Sequence, residues 1–289
     1  MLASSFVSSV AALLLANGAL GYISPHQLRW IERTSTDRTS SLPLSNLVKT
    51  TTASNSIPSG ATALEINFSD YTSGNISSWL EDRGLKIYTQ LIGGSPLTHT
   101  FTPSNVAIAD GTLQLTVSAG ATEDVKSAQV GTVDENLLYL KITTRAKAGK
   151  SEGVCSGLFT YHNDTQEADI EILTSYINTP SANGDVGAGL EFTNQKTGSE
   201  GLASNYHVAY PDWDPRDDFH DYTLEWTASA TRFYVDGELW KEITTNVPSV
   251  PSSFIWNNWS SGNVGWTAGP PTEDNVLEIE NITGWYTTA

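Results

Sequence analysis

The sequence predicts an all-β protein, an antiparallel two-sheet β-sandwich of the jelly-roll kind, and three observations carry that expectation. From about residue 60 onward, a dozen or more short runs alternate in character and are rich in β-branched and aromatic side chains. Gly, Pro, Asn and Asp separate these runs, and the Asp-Gly pairs in "IADGTL" and "YVDGEL" read as two-residue hairpin turns. No long segment keeps the 3.6-residue period of an amphipathic helix. So many short strands in one stretch of chain close into two packed sheets.

The strand candidates follow one another closely. "ALEINFS" alternates Leu64, Ile66 and Phe68 with polar residues, and "GLKIYTQLI" and "THTFT" continue the pattern. "VAIADGTLQLTVS" contains the first Asp-Gly turn. "LLYLKITTRAKA" sets Leu140, Ile142 and Ala146 against Lys141, Arg145 and Lys147. "VCSGLFTYH", "EADIEILTS", "GAGLEFTNQ" and "NYHVAYP" come next. "HDYTLEWTAS" and "TRFYVDGELWKEI" precede "SSFIWNNW" and the closing "NVLEIENITGWYT".

The N-terminus has a different character. Residues 1–21, "MLASSFVSSVAALLLANGALG", are apolar and end in small residues, as a secretory signal does, although no basic cluster precedes the apolar run. Serines and Asn17 interrupt that run, which makes it a poor membrane span. Residues 22–57 are rich in Ser and Thr with few large apolar side chains, so a linker or pro-segment is expected there. The folded domain is expected to cover residues 58–289. Asn-x-Ser/Thr sequons begin at Asn67, Asn75, Asn163, Asn258 and Asn281, which fits a secreted glycoprotein.

Composition narrows the function. The formal net charge is −17 and no Lys/Arg cluster is present, which argues against nucleic acid and anionic membranes as partners and favours a neutral or cationic one. Nine Trp and eleven Tyr are many for this length; they suit a large β core or a surface that stacks on ring-shaped ligands. The one cysteine, Cys155, excludes an internal disulfide and is expected to be a buried thiol.

One strand stands out chemically. In "EADIEI", Glu167, Asp169 and Glu171 share one face, while Ala168, Ile170 and Ile172 share the other. The apolar face suits the sheet interior, so the acids are expected on the ligand-facing side. Paired carboxylates are what glycoside hydrolysis requires, and crowding among them keeps one protonated to a higher pH. A solvated acidic strand gives the same pattern, because "VLEIENI" also sets Glu278 and Glu280 on one face. A site for a hard cation is a further reading.

The stretch around the acids resembles glycoside hydrolase family 16, which carries Glu-x-Asp-x-Glu on a strand of a concave, concanavalin A-like jelly roll. "GLFTYHND" upstream is similar to the family's Phe-x-Tyr strand. Downstream, "DFHDYTLEWTASATRFYVDGELW", "VPSVPSSFIWNNWSSG" and "LEIENITGWY" resemble its later strands, so the likeness covers roughly residues 60–289. The resemblance implies a secreted enzyme of fungal type with Glu167 as nucleophile, Asp169 as assisting acid and Glu171 as general acid/base. It implies a β-1,3- or mixed β-1,3/1,4-glucan as substrate; no cofactor is expected, and a monomer is the expected state. A structural calcium ion is a family feature for which this sequence offers no clear ligand set. Thr165, Gln166 and Ala168 depart from the lichenase pattern, so substrate preference is expected to differ there.

Carbohydrate clefts use aromatic faces for stacking and polar groups for hydroxyls. The resemblance places Phe159, Tyr161, Asn257 and Trp259 in the cleft and Trp266 at one end of it. Trp226, Tyr234 and Trp240 are expected in the core, His207 and His220 in structural roles, and Asn258 pointing away from the ligand. A glucan transglycosylase has the same site through the same intermediate. A carbohydrate-binding protein of the same architecture is the non-enzymatic alternative.

Overall fold

The computed structural model describes residues 57–289 apart from 183, 185, 199 and 200. The expected signal segment and almost all of the Ser/Thr-rich segment lie outside the described residues. No helix among the described residues is long and apolar enough to cross a membrane.

The strands form two stacked sheets. One contains β1 (Thr62–Asn67), β5 (Val106–Ala109), β6 (Thr112–Val117), β8 (Leu137–Lys147), β13 (His220–Trp226), β14 (Thr231–Val235), β15 (Glu238–Ile243) and β17 (Asn275–Thr288). The other contains β2 (Leu85–Ile87), β3 (Gln90–Ile92), β4 (Thr98–Phe101), β7 (Asp124–Thr132), β9 (Cys155–Asn163), β10 (Gln166–Leu173), β11 (Leu190–Asn194), β12 (Ser204–Val208) and β16 (Ser253–Trp259). Its spatial order runs β12-β11-β10-β9-β16-β7-β4-β3, so the acid strand β10 is flanked on both sides. The sheets are antiparallel with one exception, the parallel pairing of β4 with β7.

Local chemistry accounts for the turns. Asp110 and Gly111, and likewise Asp236 and Gly237, all take positive φ, the conformation a two-residue hairpin turn demands. Two elements escape the sequence pattern. A six-residue helix, α1 (Ile76–Glu81), is too short for a visible period; Asn75 caps it by accepting from the Ser78 N–H at 3.0 Å. From Ser127 onward β7 is buried on both faces, so it does not alternate there, and its Ser127, Ala128 and Gly131 read as loop residues. "GLKIYTQLI" divides into β2 and β3.

The core lies between the sheets. Leu158, Ala168, Ile170, Ile172, Phe192, Phe254 and Trp256 from one sheet meet Leu113, Leu115, Ile142, Leu224 and Ile279 from the other. Trp226 is buried in this core and Trp240 packs against it; Tyr234, expected there too, lies on the outer face of the eight-stranded sheet, where its hydroxyl donates to Glu225 Oε2 at 2.6 Å and Lys141 lies over its ring. Trp256 crosses the layer and donates its indole N–H to Thr144 Oγ1 at 2.8 Å. Replacing Thr144 with Val keeps the shape but leaves that buried N–H unpaired. The Thr144→Val protein is expected to lose about 1–3 kcal/mol of stability in urea unfolding.

The other acid pair has a different fate from that of β10. On β17, Glu278 pairs with Lys147 at 2.9 Å and Glu280 with Arg145 at 2.6 Å. These are partly exposed ion pairs on the eight-stranded sheet, which suits a structural role.

Candidate active site

Pairing builds the site row by row. Across β10, β9 and β16, Glu167 stands beside Tyr161 and Ser253, and Asp169 beside Phe159 and Ile255. Glu171 stands beside Gly157 and Asn257. Residues directly opposite in neighbouring strands project to the same face. Because Ala168, Ile170 and Ile172 are held in the core, all three acids and their row partners face outward. A register shift between Gln166 and Glu167 marks a bulge at the start of the acid row.

The outer face carries a cavity of about 220 Å³. Its lining includes Glu167, Asp169 and Glu171 with Phe159, Tyr161, Asn257 and Trp259. The structure therefore gathers seven of the eight residues singled out from sequence. Trp266 does not line the cavity. It is buried in a cluster with Cys155, Leu173, Tyr176 and Trp259, behind the wall that Trp259 presents.

Several side chains hold the acids. Gln195 Nε2 donates to Asp169 Oδ2 at 3.1 Å, and the Gln195 backbone N–H donates to the Glu167 carbonyl at 3.0 Å. The Cys155 thiol donates to Glu171 Oε1 at 3.4 Å. Burial, and then the Glu171 carboxyl beside it, push the Cys155 thiol well above its ordinary value. Asn257 lies against the Gly157 backbone and accepts its N–H at 3.2 Å. A Cβ at Gly157 would come within 2.6 Å of Asn257 Oδ1, so the missing side chain is what admits the amide.

The sequence reading missed part of the wall. His99 stacks on Trp259 with ring centroids 4.9 Å apart and lines the cavity with Gln90, Ile92, Phe101 and Gln129. These residues come from β3, β4 and β7, far from the acids in sequence. The alternation of His99 with Phe101 in "THTFT" was the available signal. The opposite rim is formed by His162 and Asn163. Asn258 points inward, fully buried and bonded to Ser156, Leu115 and Asn275, so its sequon is closed to a glycan in the folded protein. His220 pairs with Asp236 at 2.7 Å and stacks on Trp213 at 3.7 Å, while His207 lies 3.0 Å from Glu191.

A family model described as "Glycosyl hydrolases family 16" matches residues 94–275. A β-glucanase of Acetivibrio thermocellus is 30% identical over 173 residues, covering 57% of this chain and 48% of that protein. The chain thus spans about half the length of that relative. A β-glucanase of Paenibacillus polymyxa is 26% identical over 212 residues, 71% of this chain and 81% of that protein. Among solved structures, a prokaryotic β-1,3-1,4-glucanase (lichenase) from a mouse hindgut metagenome superposes with a TM-score of 0.60. The two are 19% identical, and the match covers 79% of this chain and all of the other. The catalytic domain of an endo-1,3-β-glucanase (laminarinase) from Thermotoga petrophila gives a TM-score of 0.59 at 19% identity, covering 78% and 97%. At that identity the likeness establishes the jelly-roll fold.

Burial and the raised thiol make a prediction for the cysteine. Cys155 is expected to stay unreactive toward a chromogenic disulfide reagent in the folded protein at pH 8, and to release one equivalent in denaturant. Fast labelling of the native protein would contradict the buried position.

Proposed function

This chain belongs to family 16 of the glycosyl hydrolases, and on that premise we propose that it is a secreted, retaining endo-β-glucanase acting on β-1,3- or mixed β-1,3/1,4-glucan. One observation carries the reading: three carboxylates and the aromatic rings Phe159, Tyr161 and Trp259 line a single cavity. Bacterial β-glucanases are among the relatives it matches, and a lichenase and a laminarinase share the fold. The apolar N-terminus and the sequons suit an extracellular protein, and the acidic composition suits a neutral polymer as partner.

In the proposed reaction the Glu167 carboxylate attacks the anomeric carbon as Glu171 gives its proton to the glycosidic oxygen, which leaves with the departing chain. A covalent glycosyl-enzyme results. Glu171, now a carboxylate, takes a proton from water; that water attacks the same carbon and frees Glu167, so configuration is retained. Asp169 lies between the two on the same face and its orientation is fixed by Gln195. Its charge favours a proton on the neighbouring Glu171 and steadies the developing positive charge on the sugar. The aromatic rings supply flat apolar faces for the sugar C–H groups.

Incubation with laminarin, lichenan, xyloglucan and chitin oligomers, followed by mass analysis, tests the substrate. Shorter β-glucan products are expected. Longer products would instead assign transglycosylation, and binding without any product would overturn both enzymatic readings. Glu167→Gln is expected to lower kcat by about four orders of magnitude while leaving oligosaccharide binding intact. Near-normal turnover in that variant would remove Glu167 from the nucleophile role. Asp169→Asn is expected to slow turnover about tenfold or more and to shift the acid limb of the pH profile.

A further inference from the structure

Next to Glu171 lies a carboxylate that the proposed reaction does not use. Glu191, on β11, is the direct cross-strand partner of Glu171 on β10. Side chains so paired have Cβ atoms about 4.5–5.5 Å apart. Glu191 is only 1% exposed, and its Oε2 has no hydrogen-bond partner among the described residues. Its Oε1 lies 3.0 Å from Nδ1 of His207, the next residue outward in the same row, on β12. The His207 ring occupies the space beside Gly187, where a Cβ would lie 2.0 Å from the imidazole. The row from the cavity outward is therefore Asn257, Gly157, Glu171, Glu191, His207.

Two buried carboxylates at this separation cannot both ionise freely, and the His207 imidazole 3.0 Å from Glu191 is a stronger partner for a carboxylate than the weak thiol donor 3.4 Å from Glu171. We propose that Glu191, held by His207, is a positioning residue that keeps the proton on Glu171. This rests on Glu171 being the acid/base of the proposed reaction. The pairing leaves Glu171 with the proton a leaving group needs, and places the compensating cation at the rim, where the His207 side chain is 39% exposed.

Other ionisable groups lie near Glu171 and Glu191. Cys155 on β9 and Tyr210 beyond β12 are pushed up by burial and stay neutral. Glu167 and Asp169 share the Glu171 face, and His99 on β4 lines the same cavity. Asp214 and Arg216 pair with each other at 2.7 Å, which largely cancels their charge. Only Glu191 opposes Glu171 across the β10–β11 pairing.

The test is the pH dependence of kcat/KM for the wild type, Glu191→Gln and His207→Ala, with folding checked by circular dichroism. Glu191→Gln removes the competing charge, so the alkaline limb, where Glu171 loses its proton, is expected to fall by about one pH unit. KM at the optimum is expected to stay within about twofold. His207→Ala removes the counter-charge and is expected to raise the same limb, because the carboxylate pair then holds its last proton more tightly. Because the His207 side chain is partly exposed, this variant decides the matter if Glu191→Gln does not fold. Unmoved alkaline limbs in the folded variants of an active enzyme would overturn the pairing and leave the glucanase reading standing. A wild type without glucan-cleaving or glucan-transferring activity would overturn both.

Discussion

The site depends on the register of one strand. β10 is clamped between β9 and β11, and its period of two sends Ala168, Ile170 and Ile172 into the core. A slip of one residue would exchange the faces. It would expose the two isoleucines, each worth about 1.5–3 kcal/mol of burial, and drive three acids into an apolar interior at much greater cost. The hydrophobic effect thus aims the carboxylates without touching them. The bulge between Gln166 and Glu167 ends the regular pairing at the start of the acid row. Regular spacing beyond that point keeps the three acids in fixed succession along the cavity floor.

The register creates an electrostatic problem. On β17 two glutamates on one face are met by Lys147 and Arg145, partly exposed to water, and such pairs do little beyond neutralising charge. On β10 the acids are nearly sealed from solvent, and the groups placed around them include the Gln195 amide and the Cys155 thiol. Neutral donors fix the direction of a carboxylate while leaving its proton affinity open to the neighbouring acids. That suits a site where one group must hold a proton and another must be bare, whereas a tight ion pair at each acid would bare them all.

Much of this was legible in the sequence because alternation is a local property. The strands with one buried face, such as β8, β13 and β17, declared themselves by period, and Asp-Gly announced the two hairpins. β7 did not, because a strand buried on both faces has no alternation to read, and its small polar residues imitate a loop. The acid row was visible for the same reason as β8. The far wall was not, because His99 and Phe101 reach Trp259 only through the parallel pairing of β4 with β7, a contact that strand periodicity cannot predict. Trp266 shows the converse limit: in sequence an aromatic behind a cleft wall looks the same as one lining it, and only packing against Cys155 and Leu173 tells them apart.

Those distant residues bear on specificity. Thr165, Gln166 and Ala168, where the chain departs from the lichenase pattern, do not line the cavity. Thr165 donates to Asn163 within the β9–β10 turn, Gln166 Oε1 accepts the Ser249 N–H at 2.7 Å, and Ala168 packs in the core. They tie the turn to the loop before β16 and fill the sheet interior, so any effect they have on a ligand passes through the strands they brace. The surface a sugar would meet at the other end is built from Gln90, Ile92, His99 and Phe101 beside Trp259. The stacked His99 covers part of the Trp259 face and adds ring nitrogens that can bond hydroxyls. A flat stacking platform tolerates many linkages, whereas a ring face bounded by a polar neighbour accepts only those that bring a hydroxyl to it. Under the proposed glucanase reading, linkage preference is therefore to be sought along β3 and β4, where the cavity wall beside Trp259 is built.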